Sequence, residues 1–200
     1  PADLDRVLEI LVAHPSCARH IAWKLCHRFI ADDPPESAVS ATARTFADSK
    51  GDIPKTLRTL FSTPDFWAPE HRGTKFKRPF HFVVSCLRAT HAETDASHPI
   101  LDSLLRMGHA PFRYPTPDGY PQEACHWEST LLWRWNFASA LVHDRIHGTR
   151  IPHSQLHQTV GRHGLVAAFL GRQPTASETA VLGEVEDLSV VLAGPAFQRC

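Results

Sequence analysis

Fourteen histidines are spread along this chain of 200 residues, and the spacing of five of them could do chemistry. His143 and His147 are four apart, His153 and His157 repeat that interval, and His163 follows. Residues four apart on a helix share a face, so each pair would offer two imidazoles to one ion. Two pairs facing each other across the Gly148-to-Pro152 break would complete a four-nitrogen site for a divalent metal, with Asp144 as an alternative ligand. That site would serve a metal-dependent hydrolase or oxidoreductase. Two observations weigh against it. No glutamate lies inside either pair, so the zinc-protease pattern is absent. Histidines near a helix C-terminus are also favoured by the dipole alone.

A second cluster is basic: His71, Arg72, Lys75, Lys77, Arg78 and His81 run into a helix opened by Pro79. Cations just ahead of free helix N–H groups make a sensible anion pocket. The alternative is a solvated loop, or cations paired with acids elsewhere in the chain. The third candidate pairs Asp118, in a Pro-Asp-Gly turn, with Arg134. Arg134 has Thr130 and Ala138 at i−4 and i+4, so if its helix is buried the guanidinium needs a partner from another segment. Asp118 on the preceding loop is the expected one, as a structural clamp. Around them, Tyr114, Tyr120, Trp127, Trp133 and Trp135 are either core or a platform for a sugar, which would make the chain a carbohydrate-binding module. No nucleophile elbow, phosphate loop or dinucleotide fingerprint is present.

Composition sets the outer limits. The chain is 42% hydrophobic, and its 21 basic residues match its 21 acidic ones. That supports a packed core and gives no net field toward nucleic acid or a membrane surface. The apolar runs are too short for a membrane span. The chain opens PADLDRVLEIL on Pro1, without a basic leader, so no signal peptide is read here and a processed or truncated product is expected. Five scattered cysteines include no CxxC, and their odd number leaves at least one free thiol or an intermolecular bridge.

The elements that must position these residues read as helices. Leu4, Val7, Leu8, Leu11 and Val12 follow the spacing of one buried face. His14-Pro15 breaks that helix, Ser16 is the expected cap of the next, and Asp33 with Glu36 predicts a third over 34–48. Asp52 caps a fourth, Pro79 opens a fifth, and a sixth spans about 100–107, closed by Gly108. Residues 108–127 form a long proline-punctuated loop. A helix over 129–146 and a Gly- and His-rich helical stretch to Gly171 come next. A capping box from Thr175 to Glu178 opens the last helix, with Leu182, Val185, Leu188 and Leu192 inward. One echo stands out: Leu57-x-x-Leu60-Phe61-x-x-Pro64-x-Phe66 matches Leu188-x-x-Val191-Leu192-x-x-Pro195-x-Phe197, each a helix end that tucks a phenylalanine back onto the core. The expectation is all-α: an irregular bundle of about nine helices with long proline-rich loops, in a single domain over 1–200.

Four blocks carry a resemblance: HPSCARHIAWKLCHRFIADDPP, GDIPKTLRTLFSTPDFW, KFKRPFHFV and PTPDGYPQEACHWESTLLWRWNFA. In that order, and through to VLAGPAFQR, the chain resembles the bacterial domain-of-unknown-function 1800 family. The resemblance implies that the chain is the C-terminal part of a longer helical protein. It also implies a periplasmic or secreted accessory or interaction protein, working with a co-encoded exported partner of the sulfatase-like class. Matched residue by residue, it brings forward Lys77, Arg78, Asp118, Tyr120, Trp127, Arg134 and Asn136 as binding candidates, with no catalytic role attached.

Overall fold

Caps, prolines and apolar spacing act on each segment locally, and the computed structural model shows where they succeed. It describes residues 2–182 and 187–200, apart from the side chains of residues 2, 155 and 157–163. Eleven α-helices and one two-stranded sheet lie among the described residues, so the chain is nearly all-α. Two compact units, Pro1–Lys75 and Phe76–Cys200, share this character.

The first unit holds α1 (Ala2–Ala13), α2 (Pro15–Phe29), α3 (Glu36–Asp48), α4 (Ile53–Ser62) and α5 (Pro64–Trp67). His14, not Ser16, caps α2: its Nδ1 accepts from the Ser16 N–H at 3.1 Å, and Pro15 fills the first helical position. A proline is harmless there, and the imidazole supplies the acceptor that serine was expected to give. Helix α3 starts two residues later than predicted, with Pro35 at its cap position and no side-chain cap bond. Asp52 does cap α4, accepting from the Lys55 N–H at 3.0 Å. A small core of Ala22, Cys26, Ile30, Ala38, Val39 and Leu60 joins α2, α3 and α4. Lys75 closes the unit from below 10% exposure: its Nζ donates to Asp32 Oδ1 at 2.5 Å and to the His27 carbonyl at 2.7 Å. The apolar stripe of α1 was expected inside, yet Leu4, Val7, Leu8, Leu11 and Val12 are all exposed. Periodicity reports which residues share a face; it does not supply a surface to cover them.

The second unit holds α6 (Pro79–Ala89), α7 (His98–Arg106), α8 (Leu131–Val142), α9 (His153–Leu170), α10 (Ala176–Leu182) and α11 (Leu188–Ala193). Strands β1 (Glu93–Thr94) and β2 (Thr149–Arg150) pair antiparallel, with the Thr94 and Thr149 hydroxyls 2.7 Å apart. Phe82, Cys86, Leu104, Phe137, Leu141 and Leu192 sit in its larger core, where α11 packs on α8. The predicted helix over 129–146 is shorter at both ends. A 3-10 turn occupies Glu128–Thr130, and α8 stops at Val142 with His143 at the cap position. The Thr175 capping box forms as expected: the Thr175 N–H donates to Glu178 at 2.8 Å and the Glu178 N–H to Thr175 Oγ1 at 3.3 Å. It opens α10 only. Asp187 has extended backbone and caps a separate α11 by accepting from the Ser189 N–H at 2.9 Å. Val185 lies outside the described residues. This division, together with the short α5, accounts for eleven helices where about nine were read. Both copies of the echo return a phenylalanine: Phe66 half-buried against the small core, Phe197 buried in the larger one.

Candidate functional site

A guanidinium is the largest fully buried side chain of the second unit. Arg134, 0% exposed on α8, donates from Nε to Thr130 Oγ1 at 2.9 Å, and from Nη1 to the Lys77 carbonyl at 2.7 Å and Gln198 Oε1 at 2.8 Å. Its charge lies over the rings of Phe76 and Phe82, 4.5 and 5.2 Å from their centroids. Its Nη2 has no hydrogen-bond partner among the described residues. No carboxylate stands among these contacts, so the expected pairing with Asp118 is replaced by neutral acceptors and aromatic faces. Burial lowers the Arg134 pKa to about 10, which leaves it charged at neutral pH. Asp118 is exposed and accepts from the Thr116 hydroxyl within its own turn.

The basic stretch divides by role. Lys77 is buried with its Nζ 3.9 Å from the centre of the Phe197 ring, and burial lowers its pKa. Its backbone N–H donates to the Gln198 carbonyl at 2.8 Å, so the segment after Pro195 is stitched to the start of α6. Arg78 occupies the cap position of α6 and Pro79 its first turn, as the sequence predicts.

His109, which the sequence did not single out, completes that helix start. Its Nδ1 accepts from the Phe80 N–H at 3.1 Å, which requires a neutral ring with the proton on Nε2. Burial, then the charges of Arg78 and Arg134, lowers the His109 pKa to about 4. The ring stacks on Trp127 at 5.0 Å and stands edge-on to Tyr120 at 4.3 Å. Tyr120 donates its hydroxyl to the Ala110 carbonyl at 2.7 Å, and the Trp127 indole N–H donates to the Pro121 carbonyl at 3.1 Å. Two of the family-block residues, Tyr120 and Trp127, are therefore braces of the 108–127 loop. Outside them runs a cleft of about 460 Å³ lined by Leu105, Arg113, Tyr114, Tyr120, His126 and Trp127 among others.

The first histidine pair is not assembled as predicted. With α8 ending at Val142, His143 and His147 do not share a helix face. His143 Nδ1 lies 2.8 Å from the Ser139 carbonyl and its Nε2 3.9 Å from Asp187. His153 Nε2 lies 3.4 Å from Asp144, whose Oδ1 accepts from the Ile151 N–H at 3.0 Å. His147 instead lines an open cleft with Asp95 and Asp144. The side chains of His157 and His163 lie outside the described residues. Among the described residues no group of three or more His, Cys, Asp or Glu side chains is arranged to hold a metal ion.

Asn136 faces outward on α8, beside a run of exposed apolar residues. Leu131, Leu132, Trp133 and Trp135 are exposed while Arg134, Phe137, Ala138, Leu141 and Val142 are buried. Two missed residues matter most here. His109 had no companion at a telling spacing. Gln198 is 64 positions from Arg134, beyond any local pattern.

Fold and site together define an irregular helical protein whose second unit encloses a buried arginine, with no helix among the described residues long and apolar enough to cross a membrane. The family model described as "Protein of unknown function (DUF1800)" matches residues 1–199, and the chain belongs to that family, as the four sequence blocks led one to expect. No curated protein and no solved structure matches the chain.

Proposed function

We propose that this chain is a partner-binding accessory protein of an exported pair. One observation carries the reading: α8 is apolar round most of its circumference, but only one side of it is covered. LLWRWNFASALV contains no charged residue except the buried Arg134, and such helices belong in interiors. Here Leu132 is 68% and Trp135 60% exposed. Large aromatic and aliphatic groups held on a rigid helix are the usual anchors of a protein interface. A periplasmic or secreted location, and a co-encoded exported protein of the sulfatase-like class as partner, follow from the family resemblance.

The test is co-expression with the neighbouring exported protein, followed by size-exclusion chromatography. The expected result is one complex, weakened at least about tenfold by Leu132→Asp or Trp135→Asp with helicity unchanged. A wild-type chain that elutes alone beside its neighbour, or surface variants that bind as tightly, would sink the proposal.

A further inference from the structure

The cleft beside Trp127 has a chemistry that the exposed face of α8 lacks. Its lining combines tilted aromatic rings with two basic side chains and no carboxylate. Tyr114 and Tyr120 have ring centres 4.7 Å apart at 56° to one another. Tyr120 and Trp127 are fixed by their hydrogen bonds to Ala110 and Pro121, so this wall is formed before any ligand arrives. Tyr114 and Arg113 also line it, and neither side chain makes a hydrogen bond or ion pair with the described residues. His126 adds a second nitrogen centre, 4.0 Å from Glu123.

The adjoining backbone is strained in the same place. Phe112 has φ of 59°, the left-handed region a bulky residue rarely adopts, and its ring is wholly exposed. Strain of this kind is retained where the surrounding structure imposes it, often at ligand clamps. Here it sets an aromatic ring in solvent next to Arg113.

We infer that this cleft binds an acidic sugar unit, a pyranose carrying a carboxylate or a sulfate ester. Arg113 takes the anionic group through its planar donor fork. The C–H face of the sugar lies against the partly exposed rings of Tyr114 and Tyr120, which pack on one another as a single aromatic surface. A cleft of about 460 Å³ is of the size that holds small ligands. The Arg113 charge favours an anion over a metal ion, so the ligand's charge, not its hydroxyl pattern alone, is what selects it.

Isothermal titration at pH 7 tests this with four probes: an oligogalacturonate, a chondroitin-type sulfated oligosaccharide, a neutral cello-oligosaccharide of equal length, and uridine monophosphate. Binding of either acidic sugar, with the neutral one at least about tenfold weaker, supports the site and shows which anion it takes. Arg113→Ala is expected to remove at least about tenfold of that affinity and Arg113→Lys less, both with unchanged circular dichroism because the side chain is exposed. Equal binding of the neutral sugar, tighter binding of the nucleotide, no binding of either acidic sugar, or an Arg113→Ala variant that binds as well as wild type overturns it. The outcome is independent of whether a protein docks on α8.

Discussion

Two buried long cations, one from each unit, are held in opposite ways. In the first, Lys75 has an acid: Asp32 at 2.5 Å, with the His27 carbonyl as a second acceptor. In the second, Arg134 has none. It is held by a threonine hydroxyl, a backbone carbonyl and a glutamine amide, and its charge lies over two phenylalanine rings. The difference follows from the head groups. A guanidinium is weakly hydrated and divides its charge among several donors, so neutral acceptors and aromatic rings can replace water around it. An ammonium is a strongly hydrated point charge, for which a carboxylate is the more effective replacement; Lys77, buried against the Phe197 ring with no carboxylate among the described residues beside it, has its pKa lowered instead. Arg134 also ties together three segments that are far apart in sequence, α8, the approach to α6 and the segment after α11, a role one carboxylate bond could not fill.

The sharpest break is therefore Arg134→Ala. It leaves the Lys77 carbonyl and Gln198 Oε1 without the donor they share and opens space against Phe76 and Phe82. The expected loss is about 4 kcal/mol, read from urea unfolding. A loss below about 1 kcal/mol would mean that neutral acceptors contribute little and that the comparison misplaces the strength of the second unit.

Protonating His109 comes next, because it would charge a buried ring and place that charge near Arg78 and Arg134. The folded pKa of about 4 lies below the ordinary 6.5, so the neutral ring's contribution is complete above pH 6.5 and is lost as pH falls toward 4. The span corresponds to roughly 3 kcal/mol. His109→Gln keeps an acceptor for the Phe80 N–H but cannot titrate in this range, so its stability curve should flatten between those pH values. A wild-type curve already flat there would show that neither burial nor the arginines hold the ring neutral.

What the chain made legible is set by distance along it. Asp52, Pro79 and Thr175 act on backbone groups within a few residues, and all three helix starts appear where their caps predicted. The strands Glu93–Thr94 and Thr149–Arg150 are two residues each, too short for an alternating pattern to register. The need of Arg134 for outside partners was legible too, since its own helix offered no acid. Which partners they are depends on where residues 77 and 198 come to lie, and that is a property of the whole packing. Tyr120 and Trp127 were legible as a group but not as braces, because that role rests on carbonyls of Ala110 and Pro121 that no side-chain pattern marks.

Asp32→Asn probes the acid-paired side. It leaves the Lys75 ammonium with one neutral carbonyl and an amide in place of the carboxylate, and Asp32 is about a third exposed, at 31%. The expected loss is roughly 2 kcal/mol, below that of a fully buried pair because water reaches the acid. The companion variant Lys75→Arg sharpens the point, since an arginine that tolerates Asp32→Asn better than lysine does would show that the head group decides.

The smallest effect is expected where the geometry is best. Arg19 makes two bonds to Glu36, at 2.6 and 2.8 Å, and Ser40 adds a third to the same carboxylate at 2.7 Å. The Arg19 bond, then that of Ser40, holds the Glu36 pKa down at about 2. Both side chains are nevertheless more than half exposed, at 61 and 64%. In water the charges are screened, and ordering two long side chains offsets what the contact contributes. Arg19→Gln should leave the unfolding midpoint unchanged within error, in low and in high salt. If it instead costs as much as Asp32→Asn, pairing rather than burial governs the cations of this fold, and the contrast between Lys75 and Arg134 loses its physical basis.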